Sequence, residues 1–143
     1  MFQKILVVCT GNICRSPVGA AFLTSHLPGR AIASAGLAAC IGRPVDPAAR
    51  SLAERDGLRV DDHLARQLTP ELVHNHQLIL VMGRAQRDGV VQMVPESWGK
   101  TMLFGKWLGD CEIEDPYRQS VEVFARTHEQ LKAAATAWAA RLE

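Results

Sequence analysis

The sequence has almost no charge of one sign to spare. Sixteen Lys and Arg stand against fifteen Asp and Glu, a formal net charge of +1. That argues against a nucleic-acid partner held by bulk electrostatics, though it leaves room for a local basic site. Long apolar runs are missing too. Stretches such as Leu78 to Met82 are far too short to span a bilayer, so no membrane insertion is expected. No secretion signal is legible. Met1-Phe2-Gln3-Lys4 leads straight into Ile5-Leu6-Val7-Val8, a run too short for a signal core and with no small-residue cleavage site behind it. A cytoplasmic protein is expected. There is no Cys-x-x-Cys pair, and the five histidines do not fall at ligand spacing beside the four cysteines, so no metal site is expected. Cys9, Cys14, Cys40 and Cys111 are even in number, but without a secretion signal reduced thiols are the better expectation than two disulfides. Repeats, linkers and low-complexity segments are also lacking. At 48% hydrophobic and 22% charged, the composition is that of an ordinary globular chain, and residues 1–143 suit one domain with one core.

What is there begins with a strand. Ile5 to Val8 is a continuous, mostly β-branched apolar run, the pattern of a strand buried on both faces of a parallel sheet. A polar turn, Thr10-Gly11-Asn12, leads to Ser16-Pro17, which reads as a helix start with Ser16 as cap, the helix running to about His26 or Leu27. Ala31 to Ala35 reads as a second strand. Asp46-Pro47 repeats the cap-then-proline signal and starts a helix to about Asp56, with Gly57 past its end. Thr69-Pro70 starts a short helix. Gln77 to Met82 is a second clear buried strand, followed by a helix over roughly 84–91, and Thr101 to Phe104 is a fourth strand. A long loop, 105–119, ends at Ser120, which caps the last helix. There Phe124, Leu131, Ala135, Trp138 and Leu142 form one apolar stripe, read as core. Strands alternating with helices predict an α/β fold, a four-stranded parallel sheet with helices on both faces. Ligands of such sheets bind beyond the carboxyl ends of the strands, where the turn from Cys9 begins.

That turn reads Cys9-Thr10-Gly11-Asn12-Ile13-Cys14-Arg15-Ser16: a cysteine, five residues, an arginine and a serine. A loop curling into a helix N-terminus aims several backbone N–H groups inward and makes an anion cradle. Gly11 and Asn12 are residue types that tolerate positive φ. Arg15 offers a planar fork that grips two phosphate oxygens. Helix-end N–H groups and Arg15 favour the Cys9 thiolate, the form that attacks phosphorus. The plainer reading is a buried cysteine ending a strand and an arginine paired with a surface carboxylate. The strand before the turn and the helix start after it supply the context that favours chemistry.

The segment Val8 to Pro17 resembles the signature of the low-molecular-weight protein-tyrosine phosphatases. Ser34-Ala35-Gly36, Ala65-Arg66-Gln67, Leu78 to Met82 and Asp115-Pro116-Tyr117 match in the same order, so the likeness covers nearly the whole chain. Met102 to Gly105 and Cys111 to Arg118 are similar to the bacterial subclass found with capsule and exopolysaccharide export. The resemblance implies a phosphatase-I-type three-layer sandwich and a catalytic set of Cys9 as nucleophile, Arg15 as phosphate clamp and Asp115 as general acid. A bare Asp-Pro pair is a common turn, and only this match promotes Asp115. It further implies that residues Thr10 to Cys14 and Ser16 bind phosphate and that Ser16 hydrogen-bonds the Cys9 sulfur. Asn12, Ser34 and His63 would brace the loop, and Tyr117 would wall the substrate ring. Glu114 reads as solvated. No cofactor is implied, and the partner would be a phosphotyrosine protein, with a polysaccharide-export tyrosine kinase as the finer expectation.

The sequence also departs from the pattern. Cys40 stands where animal relatives carry a large aromatic, Arg118 follows Tyr117 where they have a second Tyr, and Gly83 replaces a usual acidic residue. These changes touch the substrate rim rather than the catalytic set. Two alternatives stand beside this reading. An arsenate reductase on the same fold needs relay cysteines close together downstream, whereas Cys40 and Cys111 lie 71 positions apart. A phosphotyrosine-binding module without activity is expected to lack Cys9 or Asp115.

Overall fold

In a computed structural model of the chain, which describes residues 2–143, every strand lies in one parallel sheet. The strands are β1 (Lys4–Cys9), β2 (Ala31–Gly36), β3 (Leu78–Val81) and β4 (Thr101–Leu103), in spatial order β2-β1-β3-β4. Val8 aligns with Ala35 on one side and Val81 on the other. The helices are α1 (Arg15–His26), α2 (Pro47–Arg55), α3 (Pro70–His74), α4 (Arg84–Met93) and α5 (Val121–Leu142).

Alternation along β1 distributes the core. Ile5, Val7 and Cys9 face the layer containing α1, α2 and α5, where Phe22, Leu131, Ala135 and Trp138 pack. Leu6 and Val8 face the other layer, with Val73, Val90 and Val94. The α/β sandwich expected from the element order is therefore present, and the α5 stripe is core. Because the chain leaves β1 for β2 on one side and later returns to β3 on the other, the carboxyl end of β1 is the switch point of the sheet. Cys9 is the last residue of that strand.

Three helix starts follow their sequence signals. Asp46 accepts from the Ala48 N–H, Thr69 from Leu72 and Ser120 from Val123. The Ser16-Pro17 signal does not. α1 begins at Arg15, Cys14 holds the cap position, and no side chain caps it. Ser16 lies inside the first turn, and its hydroxyl is turned toward Cys9 instead. Of Gly11 and Asn12, the two residue types there that tolerate positive φ, Gly11 does not use it. Asn12 alone in that loop has it, at 61°. A further helical segment that sequence patterning did not separate, a 3₁₀ turn over Pro95–Lys100, leads into β4.

Candidate active site

The loop after β1 is shaped from outside. The Cys9 carbonyl accepts from Leu37 N–H, Thr10 from Ala38, Gly11 from Cys40 and Ile13 from Asp46, at 2.8–3.0 Å. The Asn12 carbonyl accepts from His63 Nε2 at 2.7 Å, which fixes the proton of that ring on Nε2. Five successive carbonyls are thus drawn outward by the segment 37–46 and His63. Amides are left to turn inward, and those of Asn12 and Ser16 point at the Cys9 sulfur, 3.3 and 3.4 Å away. The fit is tight. A Cβ on Gly36 would collide with the Thr10 carbonyl and lie 3.0 Å from Asn12 Cβ, so only glycine lets β2 end beneath the loop.

Asn12 is fully buried and all of its polar groups are engaged. Its Nδ2 donates to Ser16 Oγ at 2.7 Å and to Ser34 Oγ at 3.0 Å, and its Oδ1 accepts from Arg66 N–H at 2.9 Å. Arg66 Nε in turn donates to the Ser34 carbonyl. These contacts over-determine a left-handed backbone at a non-glycine residue. They also set a direction. Because Ser16 Oγ accepts from Asn12, its own proton is free to be donated to Cys9 Sγ, 2.9 Å away. Three donors therefore converge on one buried sulfur, an arrangement that stabilises negative charge there. Cys14, on the same loop, is different. Burial pushes its thiol up, and the negative charges of Asp46, Cys9 and Asp115 push it further, so it remains protonated.

Arg15 reaches across the loop mouth. One terminal nitrogen donates to the Ile113 carbonyl at 2.9 Å, and the other lies 3.5 Å from Asp115 Oδ2. Its Nε is buried and has no hydrogen-bond partner among the described residues. Asp115 is half exposed and holds its turn by accepting the Tyr117 N–H at Oδ1. A pocket of about 220 Å³ joins these groups, lined by the loop, Arg15 and Asp115, with Ala38, Cys40 and Tyr117 at its walls. Burial lowers the proton affinity of His63 below the ordinary histidine value, against the opposing effect of its bond to Asn12, with the Arg66 charge lowering it further.

Every residue that sequence reasoning placed at the site lies in this loop, in its bracing or on the pocket wall. Sequence reasoning missed several others. Gln86 is buried, accepts from Met82 N–H at 2.8 Å and donates to Thr10 Oγ1 at 3.0 Å, tying β3 to the loop. Gln67 accepts from Ala39 N–H and donates to the Leu37 carbonyl, holding the segment that shapes the loop. Glu112 caps the start of α4 through Arg84 N–H at 2.6 Å. Nothing in their spacing marks these roles, because Gln67 and Glu112 act on backbone distant in sequence and Gln86 on the distant side chain of Thr10. Glu114, read as solvated, is exposed but paired with Arg126 at 2.8 Å. Arg118 packs its guanidinium 5.2 Å from the Tyr117 ring centre. No group of three His, Cys, Asp or Glu side chains among the described residues is arranged to hold a metal.

The switch-point loop, with a donor-ringed sulfur flanked by an arginine and a carboxylate, defines a class of α/β protein built to engage a tetrahedral oxyanion at a thiol. The chain belongs to the low molecular weight phosphotyrosine protein phosphatase family, whose model matches residues 4–143. The low molecular weight protein-tyrosine-phosphatase Wzb of Escherichia coli (strain K12) is 45% identical over 142 residues, 99% of this chain and 97% of the relative. Vibrio vulnificus Wzb, solved in complex with benzylphosphonate, is 46% identical, superposes with a TM-score of 0.96 and covers 99% of each chain. The YwlE arginine phosphatase of Geobacillus stearothermophilus is 31% identical with a TM-score of 0.91, covering 98% of this chain and 92% of its own. The chain is a protein-tyrosine-phosphatase by family, and the resemblance read from its motifs holds.

Proposed function

We propose that this protein hydrolyses phosphotyrosine in two steps at Cys9, acting as one catalytic domain in the cytoplasm. The observation that carries the reading is the convergence of the Asn12 N–H, the Ser16 N–H and the Ser16 hydroxyl on Cys9 Sγ. In the first step the Cys9 thiolate forms the S–P bond as the P–O bond to tyrosine breaks, and Asp115 gives its proton to the departing oxygen. In the second, water attacks phosphorus, Asp115 takes its proton, and the S–P electrons return to Cys9. The Ser16 hydroxyl then eases the departure of the sulfur. Inward amides and the unpartnered Arg15 Nε bind the equatorial oxygens in both steps, stabilising charge where it develops. These steps use neither metal nor cofactor.

Tyr117 supplies an aromatic wall, which favours a tyrosine substrate over the phosphoarginine suggested by the more distant arginine phosphatase. The similarity to Wzb and to the probable phosphatase AmsI of Erwinia amylovora supports a finer reading, in which the substrate is a tyrosine kinase of polysaccharide export. Against an arsenate reductase, Cys111 stands beside Gly105 and off the pocket that Cys9, Cys14 and Cys40 line, and that pocket carries Asp115, the proton donor a phosphatase uses. The test is hydrolysis of an aryl phosphate in EDTA by the parent and by Cys9→Ser. The parent is expected to turn over, and Cys9→Ser to lose turnover while still binding inorganic phosphate. Comparable turnover by the serine variant would end the proposed mechanism.

A further inference from the structure

A second pocket adjoins the catalytic one, and Tyr117 and Ile13 line both. It measures about 280 Å³, and Pro44 and Pro47 give it apolar sides. Its charged groups are Arg43, Arg50 and Asp46. Asp46 is committed to the fold, since Oδ1 accepts from Ala48 N–H at the start of α2. Arg50 is shared with Glu54 at 3.3 Å, an ion pair in which both side chains are roughly half exposed. The Arg43 guanidinium is exposed and pairs with no carboxylate among the described residues. The segment carrying these groups is not loose. Asp46 N–H donates to the Ile13 carbonyl, and the Arg43 carbonyl accepts from Ala65 N–H at 2.9 Å.

We propose that this pocket is a subsite for an anionic side chain flanking the scissile phosphotyrosine, with Arg43 and Arg50 as its recognition groups. The inference deepens the phosphotyrosine reading and rests on it. A ring bound in the catalytic pocket has the Tyr117 wall at its side, and the second pocket lies beyond that wall. An extended peptide advances roughly 3.3–3.6 Å per residue, so a side chain one to three positions away spans the width of the wall. The proline and tyrosine faces suit methylene stems or an aromatic ring, and the two guanidiniums suit a carboxylate or phosphate at its end. The same chemistry comes from Asp or Glu or from a second phosphotyrosine. Exposed pairs of this kind act mainly through selectivity and encounter, and salt screens them.

The experiment measures kcat/KM on phosphotyrosine peptides whose neighbours are all Ala, contain Glu, or contain a second, non-hydrolysable phosphotyrosine analogue. Each value is divided by that for a small aryl phosphate, which fills the catalytic pocket alone. The enzymes are the parent, Arg43→Gln, Arg50→Gln and the double variant. The parent is expected to favour each anionic peptide over the Ala peptide. Each single variant should reduce that preference by about two- to fivefold, and the double variant should abolish it. The preference should also shrink between low and high salt. A loss confined to one anionic peptide identifies which source the subsite takes. An unchanged preference in the double variant overturns the subsite while leaving the phosphatase reading intact. A parent without aryl phosphatase activity overturns that reading first. The side chains are at the surface, so circular dichroism of each variant should match the parent.

Discussion

Glu112 occupies the space beside Gly83. A Cβ at residue 83 would lie 3.1 Å from Glu112 Oε2, the oxygen that accepts the Arg84 N–H. The next residue, Ile113, donates to the Met82 carbonyl at 2.8 Å and accepts from Arg15 at 2.9 Å. Two consecutive residues thus pin the Asp115 loop to the end of β3 and to the phosphate clamp. The backbone of Gly83 is extended, so any residue could adopt it, and the restriction is one of space and charge.

Gly83→Glu should therefore act on the acid loop. It crowds Glu112 and sets two carboxylates side by side at the start of α4. Losing the cap is worth about 1 kcal/mol, or roughly 3–5 °C in Tm for a chain of this size. Because the loop carries Asp115, kcat on phosphates with poor leaving groups should fall more than kcat on activated ones. Glu112→Gln keeps an acceptor for Arg84 N–H and should stay close to the parent. Thermal melting and a leaving-group series check this. A Gly83→Glu enzyme matching the parent in both would show that Glu112 does not position the loop.

The His63 contact gives a pH dependence of defined sign. In the folded state this ring is held neutral by burial, and its N–H supports the strained Asn12 carbonyl. The unfolded ring takes a proton near pH 6.5, so between that pH and the lower folded value the unfolded chain binds more protons. The stability that His63 contributes is present in full above about pH 6.5 and declines as pH falls below it. His76 is also held neutral by burial and adds in the same direction. His63→Gln retains an N–H donor without titrating. Its Tm should fall less steeply from pH 7 to pH 5 than the parent's. Parallel curves would show that His63 charging does not govern the loop's stability.

What the sequence made legible follows from how local each signal is. The buried run Ile5 to Val8, the proline-marked starts of α2 and α3 and the apolar stripe of α5 are local patterns, and each appears where expected. The Cys9 to Ser16 loop was legible because a nucleophile, a clamp and a helix start lie within eight consecutive residues. Ser16 misled because the same serine chemistry serves either a cap or a sulfur, and the choice depends on Asn12 occupying the hydroxyl's acceptor side. The bracing by Gln86, Gln67 and Glu112 was not legible, since each side chain meets a group that only the sheet topology brings near: the Thr10 hydroxyl, the backbone of Leu37 and Ala39, and the Arg84 N–H. The outward turn of five loop carbonyls was hidden for the same reason, with most of their donors being main-chain N–H groups of residues 37–46.

Cys9 and Cys14 share a loop and a pocket but differ in surroundings, three donors converging on the Cys9 sulfur while burial pushes the Cys14 thiol up, and this orders their oxidation. Peroxide should act first on Cys9, whose sulfur three donors stabilise as thiolate. The thiolate takes one oxygen to become sulfenic acid, and peroxide is reduced to water. The Cys14 sulfur then attacks the Cys9 sulfur, forming a disulfide with loss of water, and a thiol reductant restores both. Burial keeps Cys14 a thiol, so it resolves the sulfenic acid slowly and is not itself the first target. Cys14→Ala should lose activity to peroxide at about the parent's rate and regain far less of it on reduction. Full recovery of Cys14→Ala would rule out the resolving role.

Cys40 lines the catalytic pocket that Tyr117 also lines. Its N–H donates to the Gly11 carbonyl at 2.9 Å, which fixes its backbone along the loop, and its sulfur lies 3.4 Å from where a Cβ on Gly11 would be. Tyr117 lines the same pocket, and the Arg118 guanidinium packs against its ring. A substrate ring therefore meets one aromatic wall and, at Cys40, only a small side chain. Replacing Cys40 with Tyr adds an aromatic contact worth roughly 0.5–1.5 kcal/mol, so kcat/KM for small aryl phosphates should rise about two- to tenfold. The gain should appear largely in KM, because ring contacts are the same in the ground and transition states. Alkyl phosphates, which offer no ring, should gain little. The measurement is kcat and KM on matched aryl and alkyl phosphates for the parent and Cys40→Tyr. If Cys40→Tyr lowers kcat/KM on every aryl phosphate, residue 40 does not face the ring, and the discrimination at the pocket mouth must come from Tyr117 alone.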